Sequence, residues 1–115
     1  MKNEYLFVYG TLQREFNNPF AKFLRKNTVY LGIGYIRGKK YQISWYPGVK
    51  KSFFKKDKVY GELYRVENPK RLFKVLDRYE DATIYNIGKY EYIRKKWPVI
   101  INNKLYKAWV YFYKT

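Results

Sequence analysis

The stretch Tyr5-Leu6-Phe7-Val8-Tyr9-Gly10-Thr11-Leu12 decides the fold. Its first five residues are β-formers in an unbroken run, and Gly10-Thr11 halts them, so the segment reads as a buried strand running into a tight loop. Glycine lets the backbone turn sharply, and successive N–H groups in such a loop can face one anion. The plain alternative is an ordinary turn, and the residues alone leave both readings open.

Outward from this strand the pattern alternates between strand and helix. Pro19 suits the first turn of a short helix carrying Phe20, Phe23 and Leu24 at helical spacing. Thr28 to Tyr35 returns to strand character, and Gly38 and Tyr46-Pro47-Gly48 mark turns around a strand at Lys40 to Trp45. Val59 to Val66 is a further strand. Asn68 then caps the best helix of the chain, with Pro69 in its first position and Leu72, Val75, Leu76 and Tyr79 at i, i+3, i+4 and i+7. Tyr85 to Arg94, Val99 to Ile101 and Leu105 to Tyr113 read as three more strands. Together these predict an α+β fold, a small mixed β-barrel or strongly curled sheet with one or two flanking helices. At 115 residues the chain fits a single domain over 1–115.

Composition narrows the chemistry. The chain has no cysteine and no histidine, which excludes thiolate nucleophiles, disulfides, histidine relays and the usual zinc ligand sets. Acid–base work near neutral pH falls to a carboxylate, a tyrosine or a lysine. The N-terminal MKNEYLFVYG lacks the apolar core of a signal peptide, and no stretch approaches the ~18 apolar residues of a membrane span. The expectation is a cytoplasmic protein with no membrane partner. The net charge is +16, which suits a protein that meets nucleic acid. Yet the basic residues are spread from Lys2 to Lys114 without an arginine-rich tail, which favours a biased, solvated surface over a nucleic-acid interface.

Three acids fall in five residues at the end of the second helix. At about 100° per residue, Glu80 lies roughly 80° from Leu72, whereas Asp77 and Asp81 lie about 140° and 180° away and are expected to face water. Glu80 therefore sits at the edge of the apolar stripe, where partial burial would raise its pKa and suit it to proton transfer. The bland alternative is a helix-end acid paired with a nearby cation. Glu62, mid-strand on the face of Tyr60 and Tyr64, is the other acid that could point inward, the alternative being a solvent-facing acid of an edge strand.

In order along the chain, several segments resemble the γ-glutamyl cyclotransferase-like family, most closely its short γ-glutamylamine cyclotransferase-type branch. Phe7-Val8-Tyr9-Gly10-Thr11-Leu12 is similar to its opening strand and substrate loop, Tyr46-Pro47-Gly48-Val49 to a later turn, and Val59 to Tyr64 to its central strand. Leu76-Asp77-Arg78-Tyr79-Glu80 resembles the stretch carrying the family's catalytic glutamate. Tyr92-Ile93-Arg94 and Ala108-Trp109-Val110-Tyr111 resemble the strands that follow.

The resemblance implies a γ-glutamyl small molecule as partner, with no metal and no organic cofactor. It implies that the substrate's α-amine attacks its own γ-carbonyl and that 5-oxoproline and an amine are released. Glu80 would be the general acid–base, and Tyr9, Gly10, Thr11, Leu12 and Tyr92 would bind substrate. Two departures lie beside these positions: Gln13 to Asn18 contains no glycine, and Asp81 stands where relatives often carry glycine after the glutamate. Two other readings remain open, a non-catalytic module holding a small carboxylate ligand and a basic nucleic-acid binder.

Overall fold

In the computed structural model, residues 3–10, 12–42, 47–80, 82–83 and 92–113 are described. The order of elements is β1 (Glu4–Val8), α1 (Pro19–Lys26), β2 (Thr28–Gln42), β3 (Pro47–Lys51), β4 (Lys58–Val66), α2 (Pro69–Glu80), β5 (Ala82–Thr83), β6 (Tyr92–Ile101) and β7 (Lys104–Tyr113). The sheet runs β3-β2-β4-β1-β7-β6-β5, and a further pairing of β2 with β6 joins its flanks. Strands β2, β4, β1, β7 and β6 thus close into a five-stranded mixed barrel with two helices, as the sequence predicts. The pairings of β1 with β7 and of β5 with β6 are parallel, and the others are antiparallel.

Alternation along the strands divides the core in two. Phe7, Leu63, Val99, Ala108, Val110 and Phe112 fill the barrel together with Ile36, Val49 and Val59. Leu6, Val8, Tyr64, Val66, Tyr92 and Tyr111 form the outer face, packed with Leu24 of α1 and with Leu72, Phe73 and Leu76 of α2. Strand β2 changes face partway along. Tyr30 opposes Tyr64 on the outer side, but after a one-residue slip Gly32 opposes Leu63 on the inner side. One extra residue reverses every side chain beyond it. Gly32 has φ of +141°, a backbone conformation that favours glycine, and a Cβ there would lie 2.8 Å from Ile101 Cδ1 and displace that methyl group.

Several boundaries differ from the sequence expectation. β2 is unbroken through Gly38, which pairs with Lys51. A Cβ at Gly38 would approach Val49 Cγ1 to 2.9 Å, so this glycine marks the close passage of β3 and not a turn. Pro47 and Gly48 open β3. Of the strand expected at Lys40 to Trp45, residues 40–42 end β2, while residues 43–45, like Tyr46 of the expected turn, lie outside the described residues. The two strands expected around Trp97-Pro98 are one. β6 meets β2 only at Val99 and Ile100, so Pro98 falls where that flank carries no ladder to interrupt. Residues 85–91 and Asp81 lie outside the described residues.

Helix α1 starts as expected: the Asn18 side chain accepts from Ala21 N–H at 2.8 Å with Pro19 following it. Helix α2 is held differently from its apolar stripe alone. Asp77, expected to face water, accepts from Arg94 Nε at 2.8 Å and Nη2 at 3.1 Å, and from the Tyr111 hydroxyl at 2.7 Å. The helical angle was sound, but long side chains rising from β6 and β7 reach past the stripe to the helix flank. The guanidinium also lies 3.9 Å from the Phe73 ring and 4.4 Å from the Trp109 ring. With side-chain exposures of 10% and 24%, the pair is largely shielded from water. Trp109 in turn donates to Glu4 Oε1 at 3.1 Å, and Lys96 to Glu4 Oε2 at 3.1 Å. Burial raises the Glu4 carboxyl, but these two hydrogen bonds and the charges of Lys96 and Arg94 outweigh it and hold the group below its ordinary 4.5.

Two outcomes follow from this network. Asp77→Ala strands a shielded guanidinium and a hydroxyl, and is expected to cost about 2–4 kcal/mol, read as a lower urea midpoint at unchanged slope. Glu4, with its folded pKa depressed, contributes stability that is complete well above pH 4.5 and is lost as the pH falls through the lower folded value. Urea midpoints for wild type and Glu4→Gln should therefore converge on acidification.

Candidate active site

Strand directions bring four chain segments to one end of the barrel. β1 runs parallel to β7, with Leu6 opposite Trp109, so both finish at the same end. β6 is antiparallel to β7 and begins there, with Tyr92 opposite Tyr113. β5 lies parallel to β6, with Ala82 opposite Tyr92, which carries the chain just past α2 to the same place. The loop after β1 and the last turn of α2, ending at Glu80, therefore converge beside the start of β6.

The loop that follows β1 is built from turns. Gln13 N–H donates to Gly10 O at 3.1 Å, and Phe16 N–H donates to Gln13 O at 3.0 Å. These turns occupy the stretch that lacks the expected glycine and deliver the chain to the Asn18 cap. The loop is then fastened twice. Arg14 N–H donates to Glu62 Oε1 at 2.7 Å, and Arg25 Nη1 of α1 donates to Phe16 O at 2.9 Å and Arg14 O at 3.3 Å. The Arg14 guanidinium lies 4.2 Å from the centre of the Tyr30 ring.

Glu62 thus has a defined task. Its strand, β4, is flanked by β1 and β2 and is not an edge, and the same Oε1 also accepts from the Tyr64 hydroxyl at 2.9 Å. Burial, followed by the hydrogen bond to Glu62 and its charge, pushes the Tyr64 phenol far above its ordinary value. Tyr64 therefore stays a neutral donor and keeps Glu62 aimed at the loop.

The expected site residues take different places. Among the described residues, no atom beyond its chain neighbours lies within 4 Å of where a Cβ at Gly10 would sit, which leaves its backbone open on that side. Thr11 lies outside the described residues. Leu12 is buried in the outer core beneath the helices. Tyr9 packs into the barrel interior, and its hydroxyl donates to the Tyr111 carbonyl. Tyr92 is buried on the outer face, edge-on to Tyr113 at 5.7 Å. Glu80 is the last residue of α2, and its side chain lies outside the described part of the structure. Sequence reasoning missed Arg14, Arg25 and Tyr111 as organisers of this end. The alternation Glu62-Leu63-Tyr64 was the one legible signal, since it put an acid and a phenol on one face. Among the described residues no three His, Cys, Asp or Glu side chains gather as metal ligands, and no helix is long and apolar enough to cross a membrane.

Comparison with known proteins agrees with this architecture. A search of curated proteins gave no match. Among solved structures, an AIG2-like protein from Mus musculus superposes with a TM-score of 0.72 at 21% identity, over 97% of this chain and 78% of that one. YkqA from Bacillus subtilis gives 0.72 at 21% identity over 97% of this chain, which spans only 36% of YkqA. A γ-glutamyl cyclotransferase gives 0.66 at 16% identity, over 98% of this chain and 68% of that one. At such identities the likeness is one of fold. The family model described as γ-glutamyl cyclotransferase, AIG2-like, matches residues 6–115, and the chain belongs to that family.

Proposed function

We propose that the protein is a γ-glutamyl cyclotransferase that releases 5-oxoproline from a γ-glutamylamine or a related γ-glutamyl compound. The observation that supports this most is the convergence of the end of α2 with the open backbone at Gly10 on one end of the barrel. The reaction needs a proton carrier and fixed hydrogen-bond donors within reach of a single carbonyl, and no redox partner.

In the proposed reaction the Glu80 carboxylate takes a proton from the substrate's α-ammonium group. The freed amine attacks the γ-carbonyl carbon, forming the C–N bond of a five-membered lactam and a tetrahedral oxyanion. Backbone N–H groups of Gly10, Thr11 and Leu12 stabilise that oxyanion or hold the substrate carboxylate. As the original amide C–N bond breaks, Glu80 gives that proton to the departing amine and then passes on the second proton of the ring nitrogen, so that a neutral lactam and an ammonium ion leave. Both reacting groups belong to one molecule, so much of the acceleration comes from holding them aligned. Tyr9 and Tyr92 support the walls from the core.

Two variants test the reading with 5-oxoproline release from a panel of γ-glutamylamines and γ-glutamyl amino acids. Glu80→Gln is expected to lower turnover by about 10²–10⁴-fold at unchanged thermal stability, the range for loss of a general acid–base. Gly10→Ala adds a methyl group where no described residue beyond the chain neighbours comes within 4 Å, so the fold should keep its midpoint while kcat/KM falls by about tenfold or more. Binding of a γ-glutamyl compound without any product would leave a ligand-holding module on the same fold.

A further inference from the structure

Lys50-Lys51-Ser52-Phe53-Phe54-Lys55-Lys56, which joins β3 to β4, sets two apolar rings between two lysine pairs. Phe53 is 85% exposed and Phe54 69%. Adjacent phenylalanines with no polar handle are costly to leave in water, and an exposed pair is informative where a single one is not. This exposure is built into the loop. Ser52 Oγ donates to Asp57 Oδ2 at 2.7 Å and accepts from Phe54 N–H at 3.2 Å, while Asp57 N–H donates to Phe54 O at 3.1 Å. Both ends of the loop are tied to β2, Ser52 N–H to Arg37 O at 3.3 Å and Gly38 N–H to Asp57 O at 3.1 Å. The clamp closes the base and leaves the tip outward.

Among the described residues the surrounding charge is little compensated. Asp57 is the one acid between Arg37 and Gly61, and its carboxylate is engaged by Ser52. None of the ion pairs among the described residues involves a lysine of this region. Lys39 and Lys50 stand directly opposite each other on β2 and β3, a like-charge pairing that weakens a sheet. The close approach of the Lys95 amine, together with burial and the repulsion between the two charges, pulls the Lys51 ammonium below its ordinary value. The fold gathers into one patch lysines that are dispersed in the sequence, and it tolerates their repulsion.

We propose that this loop docks the protein on an anionic phospholipid surface, with Phe53 and Phe54 entering the interface and the flanking lysines meeting the headgroups. The chemistry is that of an interfacial anchor: apolar side chains gain by leaving water, and each lysine near the surface adds attraction. Docking of this kind needs no spanning segment, so the absence of one in the sequence does not bear on it. The geometry favours lipid over nucleic acid. A single strand is bound by aromatic rings spaced along a groove to stack successive bases, whereas here Phe53, beside the Trp97 ring at 5.6 Å, and Phe54 lead directly into one tight turn whose corners are Lys55 and Lys56.

The test is co-sedimentation of the full chain with phosphatidylcholine vesicles, with and without phosphatidylserine. Partition onto the phosphatidylserine vesicles alone is expected, falling as salt rises. Phe53→Ser/Phe54→Ser should weaken it by about tenfold or more. Lys55→Gln/Lys56→Gln should weaken it by about twentyfold, and Lys70→Gln/Lys74→Gln on exposed α2 positions, with the same loss of net charge, by no more than about twofold. The proposal is overturned by equal partition of wild type and the phenylalanine variant, by equal loss in the two lysine variants, or by no partition at all. Tighter binding to single-stranded RNA than to these vesicles, lost with the same phenylalanine change, would overturn it in favour of nucleic acid.

Discussion

Tyr111 is engaged at both of its polar ends. Its backbone carbonyl accepts from the Tyr9 hydroxyl at the end of β1, and its own hydroxyl donates to Asp77 in α2. One residue of β7 thereby fixes the strand that leads into the Gly10 loop and the helix that ends at Glu80. Asp77 stands one helical turn before Glu80, so its bonds to Arg94 and Tyr111 set the height and rotation of that last turn against the barrel. A helix held only by Leu72, Phe73 and Leu76 could slide along a greasy face. The directional bonds to two strands remove that freedom, because hydrogen-bond geometry tolerates little displacement.

Barrel closure depends on a second constraint. β2 must contribute Tyr30 to the helix-covered face and Ile36 to the interior, and no regular strand can do both at even spacing. The slip before Gly32 solves this and also brings β2 close to Ile101 of β6, near where the two strands pair and shut the barrel. Gly61 allows a matching approach, because a Cβ there would lie 2.3 Å from Val8 O and against the Phe7 ring. The interior is narrow enough that glycines admit neighbours where side chains could not.

Fold class and the order of helices were legible because strong local signals agreed: the β-formers before Gly10, the Pro19 and Asn68-Pro69 starts, and the spacing of Leu72, Val75 and Leu76. The boundaries that differed all turn on tertiary approach. Gly38 and Pro98 look like breaks from sequence, yet one is where β3 passes close and the other is where a flank lacks a partner. Periodicity also could not show that Asp77 would be reached by Arg94, seventeen residues on, since a helical wheel knows nothing of the side chains that rise to meet it. For the candidate site, the sequence marked the Gly10 loop and the end of α2, but their proximity comes from the parallel pairings β1–β7 and β5–β6. Such long-range pairings leave no local trace.

The charge of the molecule acts on the proposed chemistry in two opposing ways. A net +16 attracts a substrate carboxylate and raises its local concentration, but the same field favours the ionised form of any carboxylate near it and so makes a weaker base. The strand directions make this more than a bulk effect. β4 begins at the end of the barrel where β1 finishes, since Val8 opposes Glu62, so the lysine-flanked loop before β4 lies at the end that carries the Gly10 loop. Screening removes the influence of lysines more than about 8 Å away through solvent at physiological salt, yet nearer ones remain felt. With no histidine to provide a group near neutrality, proton transfer by Glu80 would then draw its advantage from position. An amine held against its own γ-carbonyl needs a base of modest strength in the right place, and a positively charged entrance costs such a reaction less than one that depends on a strongly raised pKa.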